Sequence, residues 1–344
     1  MSPAGHATYR RTEDLMRILR LPRLRIAVPA MSPRTRANGW VIGLFALTLA
    51  IIHWNTHTKS AGAYRGAVPP QIPDLVIHTP PAEGGNTAAS TTATIAAGPK
   101  IEGKLAMRLK QALMLDAKSK LQTIPDYNVT FTRQERVGGK LLMRESTDLK
   151  VRHVPFSVYM KWNEGSDIGR ELLYVEGLNG NRMLVKKGGQ VGDMLPTFKL
   201  PPDGDIAMKE SRYPVTTSGL LKLVEKILEY SQRDLKLDEG VVCQFLPDQK
   251  IEGRMCYVIR TDYDCAEVDQ DYRTSLIFVD KLTALPMCVK NYGWSDRCGA
   301  PESANDRLTD ETLIEFYAFT GIRYQSRLPD IEFDQANTRY KFHR

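Results

Sequence analysis

The sequence predicts an α+β domain: a strongly curved antiparallel β-sheet, a half-barrel, with two main helices on its concave face. Three observations predict it. Short runs of alternating apolar and polar residues fill most of the chain beyond Asp126, joined by glycine, proline and asparagine turn signals. About nine or ten such strands can be marked, more than a flat open sheet holds without curling. Only two segments carry a helical apolar stripe, and each needs a face to bury it.

In chain order, residues 1–37 form a basic leader. Their eight arginines outnumber Glu13 and Asp14 by six, which leaves only one of the chain's net +7 for everything after it. A nearly neutral folded part has no basic stripe for a phosphate backbone, so no nucleic-acid partner is expected. Residues 38–56 hold the apolar run Trp40–Trp54, bracketed by tryptophans and preceded by arginines. It reads as a signal sequence or a single inner-membrane anchor with the bulk of the chain exported to the periplasm or cell envelope. Ala61-Gly62-Ala63 offers a cleavage site, and Met31 a second start, so cleaved and anchored forms both fit. Residues 57–100, rich in Pro, Ala, Thr and Gly, cannot bury enough apolar surface to order themselves and read as a disordered linker. The folded domain is then 101–344.

The first helix is expected over Glu102–Gln122, with Leu105, Leu109, Ala112, Leu113 and Leu121 as its buried stripe; Pro125 stops it. The stretch "QERVGGKLL" ends a glycine pair in lysine, as a phosphate loop would. Strand parity decides otherwise. Tyr127, Val129 and Phe131 share one face, as do Thr147, Leu149 and Val151, and pairing Val129 with Leu149 and Phe131 with Thr147 centres a hairpin on Gly139. The next hairpin should pair Leu149 with Val158 and Val151 with Phe156 around the turn 152–155. Strands continue through "FSVYMKW" and "RELLYVEGLNGNRMLVKK". A second helix over 219–233 carries Leu220, Leu223, Val224, Ile227 and Leu228 on one stripe. Further strands follow in "GVVCQFLP", "GRMCYVIRTDY", "RTSLIFVD", "LPMCVKNY" and "TLIEFYAFTGIRYQ".

All five cysteines lie beyond residue 240, and in an exported domain they can oxidise. A hairpin centred in "LPDQKIEG" sets Cys243 opposite Cys256, and the following one brings Cys265 towards Cys298. These are the expected disulfides, with Cys288 left as a small buried hydrophobe. No C-x-x-C occurs, and His153 and His343 are the folded domain's histidines, so neither a metal centre nor a histidine-based catalytic group is expected. The acids of "DYDCAEVDQD" lack the glycine and terminal glutamate of a calcium loop and read as a solvated connection. No cofactor motif appears. Ser211 and Arg212, before the second helix, read as caps, or as an anion seat at its N-terminus. Catalysis would require a polar cluster inside the domain, such as carboxylates near Arg212, and no spacing along the chain singles one out. Phe131, Phe156, Met160, Trp162, Tyr317 and Phe319 gather on the apolar strand faces. They are either ordinary core or the wall of a cavity that two helices leave incompletely filled.

The stretches "VTFTRQERVGGKLL…DLKVRHVPFSVYMKW" and "DKLTALP", with the terminal Phe333, Asp334, Asn337 and Tyr340, resemble LolA-type carriers of outer-membrane lipoproteins. "ERVGGKL", "PFSVYMKW", "RELLYVEG" and "IAMKESRYPVTTSGLL" resemble an exported bacterial family of unknown function over the whole of 101–344. The resemblance implies a half-barrel with a helical lid and a non-enzymatic protein binding a lipid or the acyl chains of a lipoprotein. The long leader, linker and cysteines depart from soluble carriers. An envelope interaction or sensor module with a filled core, and a hydrolase, are the rival readings.

Overall fold

The computed structural model describes residues 100–324 and 327–342. The leader, the apolar segment 38–56, the linker up to residue 99 and His343 lie outside the described residues. Among those described, no helix is long and apolar enough to cross a membrane.

Helix α1 (Gly103–Thr123) precedes β1 (Asp126–Val137), β2 (Lys140–Leu141), β3 (Glu145–Arg152), β4 (Ser157–Glu164), β5 (Glu171–Val175), β6 (Met183–Lys186) and β7 (Phe198–Leu200). Helix α2 (Leu220–Asp234) then leads to β8 (Val241–Ile251), β9 (Arg254–Tyr263), β10 (Thr274–Asp280), β11 (Pro286–Tyr292) and β12 (Leu313–Arg323). The strands form one antiparallel sheet in the order β7-β6-β5-β4-β3-β1-β12-β11-β10-β9-β8, with β2 paired to β1 alone. The sheet is open, and both long helices pack on its concave face. The main apolar core lies there, joining Met107, Met114 and Leu121 of α1 and Leu220, Val224 and Ile227 of α2 to Val129, Leu149, Ile259, Ile277 and Val289 of the strands. The two shortest strands, β2 and β7, bring the total above the nine or ten read from alternation.

The first hairpin has the expected register: Val129 faces Leu149 and Phe131 faces Thr147, with Gly138 and Gly139 at φ +57° and +80° in the turn. In the second, Leu149 faces Met160 and Val151 faces Val158, and the turn is 153–156. The expected pairing was displaced by two residues because Arg152 remains in the ladder, its guanidinium donating to the Ser157 hydroxyl. A displacement of two leaves every side chain on its predicted face.

Helix α1 corrects the expected stripe. Ala106, Met107, Lys110, Met114, Ala117 and Leu121 are buried, whereas Leu105 is 60% exposed and Leu109 38%. The buried set is spaced three and four apart like a core-facing stripe, but Lys110 stands in its middle and disguises it. The Lys110 ammonium donates to the Thr261 hydroxyl at 3.1 Å and lies 3.8 Å from the Asp234 carboxylate at the end of α2, so it is buried with partners.

On the convex side, the segment from Leu328 to Phe342 lies against β4 to β6. Phe333, Tyr340 and Phe342 pack with Tyr159, Leu173, Val175 and Leu184, and the Tyr159 and Tyr340 rings stack at 4.0 Å. Phe333, Tyr340 and Phe342 therefore serve as a cover for the outer face.

All five cysteines are free thiols. The β8–β9 hairpin turns at Glu252-Gly253, further along than "LPDQKIEG" suggested, so Cys243 faces Thr261 while Cys256 faces Gln249. Cys243 belongs to the concave core and Cys256 to the convex one, which separates the two residues expected to pair. Cys265 and Cys298 are likewise unbridged. Burial pushes the Cys256 thiol up to about 11 and that of Cys288 to about 12, so both stay protonated at neutral pH.

Candidate functional site

The functional candidate is a trough of about 410 Å³ between the sheet and α2. Its floor is the seam where β1 and β12 pair. Phe131 lies opposite Phe319, Arg133 opposite Tyr317 and Glu135 opposite Glu315, so the floor passes from aromatic to charged in two steps. Phe131 stacks on Phe319 at 4.8 Å and on Tyr317 at 5.8 Å, and Met160 of β4 adjoins them. Lys222, Leu223 and Lys226 of α2 form the roof, and the segment 211–219 forms the rim. Around the first turn of α2 a second recess of about 320 Å³ opens, lined by Tyr127, His153, Phe156 and Tyr174.

The start of α2 is set by a close approach. Gly219 has φ +99°, and a side chain there would meet the Tyr127 hydroxyl at 2.7 Å. That hydroxyl accepts the Leu220 N–H at 2.7 Å, supplying from β1 the cap that the helix lacks locally. The first residue of α2 is thereby fixed against β1 beside the trough rim.

The charged end of the floor is one row of a larger pattern. Successive registers set Cys243, Thr261, Ser275, Asn291, Glu315 and Glu135 side by side across six strands, from β8 to β1. Glu135 and Glu315 are like charges directly opposed, an arrangement that costs free energy unless donors surround it. They do. Glu315 accepts Arg212 Nε at 3.1 Å, the Tyr272 hydroxyl at 2.7 Å and Asn291 Nδ2 at 2.7 Å. Glu135 accepts the Tyr317 hydroxyl at 2.5 Å and the Arg212 backbone N–H at 3.1 Å. Burial pushes the Glu315 carboxyl up, against the pull of the Arg212 guanidinium. Carboxylates beside Arg212, the arrangement that catalysis would require, are therefore present in the trough wall. Their oxygens are turned towards protein donors, which makes this end an ordered, hydrogen-bonding wall.

Four of the six aromatic and methionine candidates, Phe131, Met160, Tyr317 and Phe319, line the trough; Phe156 lines the adjoining recess. Trp162 does neither: it is buried, its indole N–H donates to Glu145 at 2.9 Å, and the Arg170 guanidinium lies over its ring. Ser211 and Arg212 do not sit at a bare helix end. Arg212 is bound to Glu315, and the Ser211 hydroxyl accepts from Arg133 at 2.9 Å and donates to the Tyr213 carbonyl. His153 faces the second recess, and burial pushes its imidazole down. In the acidic stretch, Asp269 accepts the N–H groups of Asp271 and Tyr272 and an Arg233 ion pair, so it shapes a turn. Among the described residues no group of three or more His, Cys, Asp or Glu is placed to hold a metal.

The profile of the family described as "Protein of unknown function (DUF1571)" matches residues 124–342. No curated protein matches the chain. Solved structures similar to it include the lipoprotein LppX of Mycobacterium tuberculosis, at 11% identity and TM-score 0.36, covering 64% of this chain and 99% of that one. LprF of Mycobacterium bovis is similar at 11% identity and TM-score 0.37, covering 64% and 96%. A LolA superfamily protein of Nitrosomonas europaea is similar at 12% identity and TM-score 0.25, covering 66% and 97%.

Proposed function

The chain belongs to the DUF1571 family, matched over 124–342, and from that footing and the trough we propose that the domain binds an acyl chain of a lipid or lipidated polypeptide beyond the inner membrane. The observation that carries the reading is the aromatic floor of Phe131, Phe319 and Met160 in a trough of about 410 Å³, within the range of small-molecule sites. Each methylene withdrawn from water onto such a floor contributes about 0.8 kcal/mol. A chain can thus be retained without any charge pairing. The basic leader, the apolar segment and the linker support an exported, tethered or released domain. The role is binding rather than turnover.

The test is native mass spectrometry of the purified domain, followed by titration of the delipidated protein with a fluorescent acyl probe. The expected result is a retained or rebound chain, with Phe131→Ala weakening the probe by about tenfold, as the loss of one aromatic wall implies. A domain that retains none and binds none overturns the reading.

Hydrolysis is the second reading, favoured by Glu135 and Glu315 beside Arg212 and by the raised proton affinity of Glu315. Ester turnover by the wild type that Glu315→Gln abolishes would establish it in place of binding.

A further inference from the structure

Beyond the trough, α2 roofs a smaller chamber of about 50 Å³, lined by Lys110, Thr261, Tyr263, Tyr272, Ser275 and Asn291 among others. Leu223, Lys226 and Glu315 line both spaces, so the chamber lies at the polar end of the apolar trough. Its floor is the polar row. Asn291 is only 7% exposed, and its Oδ1 has no hydrogen-bond partner among the described residues. The orientation of this amide follows from its neighbour: Nδ2 donates to Glu315 at 2.7 Å, and the flipped amide would set two acceptors against each other. A buried acceptor left without a donor is costly, so the chamber calls for a group that supplies one.

We propose that this chamber seats the head of the bound amphiphile, a neutral group carrying at least one O–H or N–H that donates to Asn291 Oδ1. Neutrality follows from the surroundings. The chamber wall carries both signs: the Lys110 ammonium, 3.8 Å from Asp234, and the Lys226 ammonium oppose a cationic head. Glu315, and Glu135 across the seam from it, oppose an anionic one. The Ser275 hydroxyl can both give and take hydrogen bonds, as a glycerol-type head requires, whereas the Thr261 hydroxyl donates to Cys243 Sγ and accepts from Lys110. The space suits a head of a few heavy atoms, being a small multiple of what one water needs, about 10–15 Å³.

This inference rests on acyl binding in the trough, and the experiment separates the two. The delipidated protein is titrated with 1-oleoylglycerol and with methyl oleate, which share a chain while only the first has a head that donates. The expected result is an affinity about tenfold higher for 1-oleoylglycerol, equivalent to one buried hydrogen bond. Asn291→Leu removes the acceptor, and Ser275→Leu fills the chamber from a position that does not line the trough. Each should bring the ratio near one while methyl oleate still binds. Equal affinities in the wild type, or a preference that survives both variants, overturn the head site and leave the trough reading standing. Failure of both ligands to bind overturns the trough reading and this one with it.

Discussion

Glu315 shows how a buried side chain sets a dependence on pH. Its carboxyl binds protons more tightly in the folded domain than in the unfolded chain because burial disfavours the charge. The folded form therefore gains stability that is complete below the ordinary glutamate range and is lost as pH climbs through the raised value. Urea midpoints measured from about pH 4 to pH 8 should fall in the wild type relative to Glu315→Gln, a difference that cancels the opposite contribution of the depressed His153 imidazole. Parallel curves for the two proteins would refute the assignment. Individual side chains were legible in the sequence where parity alone decided their surroundings. Phe131, Met160, Tyr317 and Phe319 reached the trough because inward-facing apolar residues have nowhere else to go. The polar row was not legible, because Thr261, Ser275, Asn291, Glu315 and Glu135 are far apart along the chain and meet only through strand register. Inward parity is interrupted by Thr261 in β9, Ser275 in β10, Asn291 in β11, Glu315 in β12 and by Arg133 and Glu135 in β1, and aligning those exceptions across strands is the signal that would have found it.

At the level of the element, α1 separates leucine content from burial. Met114→Ala should cost about 2–5 kcal/mol by leaving a core cavity, while Leu105→Ala should change stability by less than about 0.5 kcal/mol. Denaturant unfolding of both variants checks this, and the reverse order would restore the leucine-based stripe. The face was misread because apolar residues lie on more than one side of the helix, and the buried side is interrupted by a lysine. That lysine's partners, Thr261 and Asp234, belong to elements far along the chain. Hairpins fared better. The β1–β3 register came out of parity and a glycine turn, both local, whereas the β3–β4 and β8–β9 turns moved because the residues at their ends stay in the ladder.

Taken as a whole, the domain has two faces with different covers. The helices close the concave side around the trough, and the segment 328–342 closes the convex side of β4 to β6. Removing residues beyond Tyr324 should uncover Tyr159, Leu173, Val175 and Leu184 together, an apolar patch of the kind that drives association. The expected outcome is a lower thermal midpoint and self-association by light scattering. A monomer of unchanged stability would mean that the segment is dispensable. The fold class was legible because alternation, helix count and turn chemistry all pointed to one curved sheet. Volume was not, since whether two helices fill a concavity depends on how they are seated on it, and the start of α2 is fixed by a contact between distant residues, Gly219 against the Tyr127 hydroxyl.

The seam beneath the trough joins β1 to β12, the first and last strands of the domain. A sheet whose middle is made from its two extremities cannot be completed until the whole of 126–323 is at hand, and closing so long a loop slows the search. A chain of this kind stays unfinished while its earlier strands emerge, and the aromatic floor of Phe131 and Phe319 is absent until the last strand arrives.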